Sequence, residues 1–213
     1  MSGARGGNSP HKPFIIGLTG SIAMGKSETS RLFVAEGVPV HDADAAIHKL
    51  YGKGGAAVEK IAKEFPGAVK NGEVDRTTLS NMVATDAGAL KRLEALVHPL
   101  VIEDRDEFLT EAAAKGAQIV VLDIPLLLET GADEDVDALV VVSAPQSVQH
   151  ERALKRPGMT EEKFQALLSR QLPDVEKRAR AHFVIVTDQG AEHAREQVKM
   201  VLSAVREKIQ KHA

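Results

Sequence analysis

Residues 20–27 read GSIAMGKS, two glycines bracketing a short run with a lysine and a hydroxyl directly behind the second. Glycines at those positions let a turn aim successive backbone N–H groups at one anion. A helix starting near Lys26 adds the positive end of its dipole. The spacing is G-x-x-x-x-G-K-[ST], the P-loop pattern, in which the lysine reaches the β- and γ-phosphates of ATP and the hydroxyl ligates Mg²⁺. Gly20, Ser21, Ile22, Ala23, Met24, Gly25, Lys26 and Ser27 are therefore candidate ATP-binding residues, with Ser27 also a candidate metal ligand. The alternative is a tight turn followed by a solvated lysine, but the apolar run in front and the helical pattern behind supply the context the motif requires.

Other side chains could complete such a site. Asp123 ends the apolar run of IVVLDIP at 119–125, and a carboxylate at the tip of a neighbouring parallel strand is where such sites hold Mg²⁺ or its water. Aspartate also suits strand ends as a turn or cap residue. VPVHDAD at 38–44 sets Asp42 and Asp44 just past another apolar run, at the strand ends where α/β sheets bind ligands. A carboxylate there could take the proton of an acceptor hydroxyl, and one of the two is expected to cap the helix AAIHKLY. Arg152, Arg156 and Arg170 lie in QSVQHERALKRPGMTEEKFQALLSRQ, around the breaker Pro157-Gly158. On a mobile lid, guanidinium groups would meet the charge spread over a transferring phosphoryl group, and closure would exclude water. A solvated helix face is the plainer reading of each arginine. His98-Pro99 reads as a helix boundary, although the imidazole could hydrogen-bond a ligand.

The elements that must hold these residues alternate. FIIGL (14–18), VPVHD (38–42), QIVVLD (118–123), ALVVVSA (138–144) and FVIVTD (183–188) are continuously apolar rather than alternating. Such runs predict strands buried on both faces of a parallel sheet. Between them lie helical patterns, of which Val198, Val201, Leu202, Val205 and Ile209 form the clearest stripe. Val58, Ile61, Ala62 and Phe65 form another, and Val101, Ile102, Arg105, Phe108, Leu109 and Ala112 a third. Gly37, Gly52 and Gly116 sit where a helix needs a left-handed C-terminal residue. The reading is a doubly wound α/β layer with five parallel strands flanked by helices. It places a flexible tail or expression remnant at 1–12, a single domain over 13–213, a mainly helical acceptor-binding region at 45–115 and a lid at 151–178.

The 213 residues include 43% hydrophobic and 27% charged ones, which excludes a mainly disordered chain. With no cysteine, neither a disulfide framework nor a cysteine-ligated zinc site is available. No apolar stretch approaches the roughly 18 residues of a membrane span, so the expectation is a cytoplasmic protein that binds no membrane. A net charge of −3 and 3% aromatic residues argue against nucleic acid as a partner. GTPase switches carry D-x-x-G and N/T-K-x-D, and this chain has neither. What remains is a small phosphotransferase with an acceptor pocket and a lid; a nucleotide-binding regulator would need neither the D-x-D pair nor the arginines. The oligomeric expectation is a monomer.

With these pieces in order, the sequence resembles the dephospho-CoA kinase family. The matching stretches are IIGLTGSIAMGKS, VHDADAAIHKLYGKGG, LEALVHPLV, VVLDIPLLLETG, VDALVVVSAP, and QHERALKRPGMT followed by SRQ, from about residue 15 to 190. The resemblance implies a P-loop kinase core with a helical acceptor-binding region and a lid. It implies transfer of the ATP γ-phosphoryl group to the ribose 3′-hydroxyl of dephospho-CoA, with ATP and dephospho-CoA as substrates and Mg²⁺ as cofactor; another small acceptor, such as a nucleoside or sugar, is the alternative. Carried over, Gly20 to Ser27 hold the phosphates, Asp44 is the general base, and Asp42, His98 and Asp123 line the site. Arg152 and Arg156 belong to the lid, Arg152 also lying near the adenine. Several positions depart from the family's usual pattern. Ala23 stands where glycine is common, which calls for a negative φ there. Glu28 replaces a threonine, His182 an aspartate, and Thr187-Asp188 an asparagine, the last two changes bearing on the adenine side.

Overall fold

The computed structural model describes residues 12–86 and 88–212; the tail expected over 1–12 lies, except for Lys12, outside them. In chain order the described residues form β1 (Phe14–Thr19), α1 (Lys26–Ala35), β2 (Val40–Asp42), α2 (Ala43–Tyr51), α3 (Val58–Glu64), β3 (Val69–Lys70), β4 (Glu73–Val74), α4 (Arg76–Thr85), α5 (Ala89–Ala114), β5 (Ile119–Asp123), β6 (Ala138–Ser143), α6 (Gln146–Leu154), α7 (Glu161–Leu168), α8 (Asp174–Arg180), β7 (Phe183–Val186) and α9 (Ala191–His212). They fall into two units, one running to His41 and resuming at Ala112, the other spanning Asp42–Glu111.

All five continuously apolar runs are strands of one parallel sheet in the order β2-β5-β1-β6-β7. The register pairs Leu18 with Asp123, Thr19 with Val141, and Ser143 with Val186. The chain lays down β2 and β5 on one side of β1 and then crosses to build β6 and β7 on the other. The strand order therefore reverses at the C-terminal end of β1, where open α/β sheets bind ligands.

Alternate residues explain why these runs are apolar throughout. Ile16, Leu18, Val121, Val140, Val142 and Ile185 pack on Phe33 of α1 and on Val198, Val201, Leu202 and Val205 of α9. Each of the four α9 side chains is buried, a contribution of about 1.5–3 kcal/mol apiece relative to exposure. On the opposite face Leu139 and Val141 meet Leu127 and Leu128. Gly17 on β1 permits that close approach, since a Cβ there would lie 2.9 Å from Leu127.

The second unit has its own core, in which Leu50, Ile61, Phe65, Leu79, Val97 and Leu100 converge from α2, α3, α4 and α5. A short hairpin of β3 and β4 lies within it, an element the periodicity did not anticipate. Its signal was the dipeptide Asn71-Gly72, with φ of 53° and 82°, the preference of a two-residue hairpin turn.

Two local expectations are corrected. Gly37 and Gly116 have positive φ as expected, but Gly52 has φ −67° and is extended; the left-handed residue in that turn is Gly54. His98-Pro99 is not a helix boundary, because α5 runs through it with Pro99 inside. Proline removes the hydrogen bond to the carbonyl of Ala95. Ala95 and Pro99 are both exposed, so water can serve the freed group, while Val97 and Leu100 keep the helix docked on its core.

Candidate active site

β1 delivers the loop at residues 20–25 to the middle of the sheet. A Cβ on Gly20 would lie 2.7 Å from the carbonyl oxygen of Val142, and one on Gly25 would lie 2.9 Å from Thr187 Oγ1. Gly25 caps α1 with φ 98° and no side-chain hydrogen bond, so the cap residue itself does not occupy the amides that open the helix. That is the arrangement an anion site needs. Lys26, the first residue of α1, reaches Asp123 at the end of β5 and forms an ion pair with its Oδ1. The lysine side chain is 15% exposed and the carboxylate 2%. Ser27 is exposed beside it.

Ala23 contradicts the expectation of a negative φ: its φ is 62°. Left-handed backbone costs a residue with a Cβ about 1–2 kcal/mol, which is why glycine is usual there. Here the methyl group is buried with Ala153 of α6 and Phe164 of α7, and this packing offsets part of the strain.

The other wall comes from residues distant in sequence. Arg152 donates from Nη1 to Thr187 Oγ1 at 2.9 Å and from Nη2 to the Thr187 carbonyl at 2.7 Å. Thr187 Oγ1 in turn donates to the Met24 carbonyl at 2.7 Å. Thr187 thus stands between the loop and the guanidinium group. With Arg152, Arg156, Glu28, Gly190 and Ala191, it lines a cavity of ≈ 330 Å³ that opens beside Ala23 and Gly25. This volume lies within the range of small-ligand sites. His182 accepts at Nδ1 from the Leu139 amide at 3.0 Å and does not line this cavity.

The first unit thus brings together Gly20 to Ser27, Asp123, Arg152 and Arg156. Asp42, Asp44 and His98 belong to the second. Asp42 ends β2 and is the residue that caps α2, accepting at Oδ1 from the amides of Asp44 at 2.9 Å and Ala45 at 3.0 Å. Asp44 stands exposed in the first turn, its carboxylate not used by the cap, and His98 is exposed on α5. The second unit also holds a cavity of ≈ 910 Å³ lined by Lys49, Lys53, Leu100, Asp104 and Glu107; Pro99 lines it and His98 does not.

The model of the dephospho-CoA kinases matches residues 14–193. The chain belongs to the dephospho-CoA kinase family. It is 51% identical over 199 residues to a dephospho-CoA kinase of Rhodopseudomonas palustris, covering 93% of this chain and 99% of that one. With a dephospho-CoA kinase of Mesorhizobium japonicum it shares 53% identity over 192 residues, 90% and 96% of the two chains. Among solved structures, a protein of Thermus thermophilus superposes with a TM-score of 0.79 at 35% identity, covering 91% of this chain and 98% of its own. Family membership makes this chain a kinase with a nucleotide-binding P-loop fold.

Sequence reasoning gave no role to Gln149 and Gln171, the two side chains that hold Ile22. Gln149 had a signal: it shares the buried face of α6 with Ala153, four residues on, and a buried glutamine must find partners.

Proposed function

We propose that the chain transfers the γ-phosphoryl group of ATP to the ribose 3′-hydroxyl of dephospho-CoA, giving coenzyme A in the last step of its synthesis. The observation that carries this reading is the family match across residues 14–193, together with a glycine-built anion site at the start of α1. The backbone amides of Gly20 to Ser27 cradle the phosphates, and Lys26 exchanges its contact with Asp123 for the β- and γ-phosphates. Ser27 and Asp123 are a hydroxyl and a carboxylate, the hard oxygen donors that Mg²⁺ accepts alongside phosphate and water, and they would hold it. Bound there, Mg²⁺ neutralises charge on the phosphate oxygens. Asp44 takes the proton from the acceptor hydroxyl. Its carboxylate is available because Asp42 performs the capping. Asp42 and His98 contact the acceptor. Arg152 and Arg156 meet charge on the donor, and closure of the segment that bears them excludes water as a competing acceptor. No described helix is long and apolar enough to cross a membrane, which accords with a cytoplasmic kinase.

The test is ADP release with a panel of acceptors: dephospho-CoA, nucleosides and a sugar. ADP release that depends on dephospho-CoA, with phosphate appearing on the ribose, is expected. A preference for a nucleoside or sugar over dephospho-CoA would overturn the substrate, and ATP binding without acceptor-dependent release would overturn the enzyme.

A further inference from the structure

The residue just before the strained one in the phosphate loop is held by two glutamines from one distant segment. Met24 N–H bonds back to the Ser21 carbonyl at 3.2 Å, closing a four-residue turn. Of its two central residues only Ala23 has positive φ. That is the type II pattern, which calls for glycine at the third position. Type I differs mainly in that the central peptide, Ile22–Ala23, is flipped and the third residue returns to negative φ. Whatever grips the Ile22 carbonyl therefore chooses between the two turns.

Gln149 grips it. Its Nε2 donates to the Ile22 carbonyl at 2.9 Å, and the residue is only 3% exposed. The neighbouring peptide is held from the other side, Ile22 N–H donating to Gln171 Oε1 at 2.9 Å. Gln149 lies in α6 and Gln171 just after α7, so the chain that carries Arg152, Arg156 and Arg170 leaves the loop at Ile22 and returns to the same residue. The apolar side chains agree with this, since Ile22 and Ala23 pack with Ala153, Met159, Phe164 and Leu168 of that segment. Gln171 is itself placed by the next residue, whose amide donates to Glu129 Oε1 at 2.9 Å.

We infer that Gln149 and Gln171 are positioning residues for phosphoryl transfer. They clamp the two peptide groups of Ile22 and impose the left-handed turn at Ala23, so that the cradle keeps its shape only while the arginine-bearing segment is docked. The inference rests on the reading of residues 20–27 as the phosphate cradle. The two glutamines act with opposite polarity: position 149 must donate, position 171 must accept. One isosteric change thus separates them. Gln149→Glu places an acceptor against a carbonyl, whereas Gln171→Glu keeps the oxygen that Ile22 N–H needs. The added charge is common to both.

The test is ATP affinity by titration calorimetry at pH 8, with KM for both substrates and a melting temperature for each variant. Gln149→Glu is expected to weaken ATP about tenfold, within the range for stranding one buried polar group, and Gln171→Glu by less than about threefold. Gln149→Met removes the donor without adding charge and should match the tenfold loss while KM for dephospho-CoA holds within about twofold. Introducing Ala23→Gly into Gln149→Met should recover at least about threefold, because glycine enters the left-handed region without penalty. A global loss of packing would not be rescued in this way. Gln149→Met binding ATP like the parent, Gln171→Glu as damaging as Gln149→Glu, or no recovery from Ala23→Gly would each overturn the clamp. Lys26→Ala separates the two readings: if it abolishes ATP binding where Gln149→Met does not, only the clamp fails, and if it binds ATP normally, the cradle itself is refuted.

Discussion

Lys177 offers the sharpest test of how the chain beyond α7 is anchored. Its side chain, on α8, is 0% exposed and lies 2.7 Å from Glu129 Oε1, itself 14% exposed. The approach is an ion pair outside hydrogen-bond geometry, so Lys177 Nζ and Glu129 Oε2 have no hydrogen-bond partner among the described residues. Removing one member of a buried pair costs about 3–5 kcal/mol, because the other charge is stranded. Glu129 Oε1 still accepts from the Leu172 amide, which puts Lys177→Met at the lower end, about 3 kcal/mol. In a chain of this size each kcal/mol moves the melting temperature by about 2–4 °C, so thermal unfolding followed by circular dichroism should show a loss of about 6–12 °C. Adding Glu129→Gln removes the stranded charge yet keeps an oxygen for the Leu172 amide. The double variant should recover more than half of the loss. A Lys177→Met protein that melts within about 2 °C of the parent would refute the reasoning, as would a double variant less stable than either single one.

The remaining expectations concern the site and the pH response. Asp44→Asn should lower kcat by about 10²–10⁴ with ATP affinity retained, and near-normal turnover would remove Asp44 from the role of base. Lys26→Ala should weaken ATP binding and slow turnover together, which single-turnover kinetics with titrated ATP would reveal. Thr187→Val keeps the shape against Gly25 but strands the Met24 carbonyl, so a stability loss of about 1–3 kcal/mol is expected from denaturant unfolding; an unchanged midpoint would show that water replaces the hydroxyl. Asp75, the cap of α4, is held well below the usual carboxylate range by its hydrogen bond from Lys70 and by the Thr78 amide. Because the folded value is depressed, its stabilisation is complete above the ordinary carboxylate pKa of about 3.9 and shrinks as pH falls below it. Asp75→Asn keeps the cap without the titration, so its melting temperature should fall less steeply between pH 4 and pH 2.5, and equal slopes would sink the assignment.

Strands and long helices were legible because their signal is local. Five apolar runs became five strands, and the stripe of Val198, Val201, Leu202 and Val205 became the buried face of α9, since a strand buried on both faces and a helix buried on one each write a distinct period into adjacent residues. Pro99 was misread for the complementary reason. A local rule says that proline ends a helix, but whether its cost is tolerable depends on the solvent exposure of Ala95 and the docking of Val97 and Leu100, which only the folded unit decides. The hairpin at Val69–Val74 escaped because its strands are two residues each, too short for any period.

The phosphate loop shows the same division within a single motif. Gly20, Gly25, Lys26 and Ser27 announce themselves by type and spacing, because close backbone approach and charge admit few substitutes. Ala23 does not, since nothing adjacent explains how a residue with a Cβ is kept at φ 62°. The explanation lies more than 120 residues away in Gln149 and Gln171, whose polar ends meet backbone groups rather than a matching side chain. Backbone partners leave no complementary residue type to read, so such contacts emerge only when the fold closes. Where a P-loop carries a side chain at a position that favours glycine, what holds the turn has to be sought in the segment packed against it.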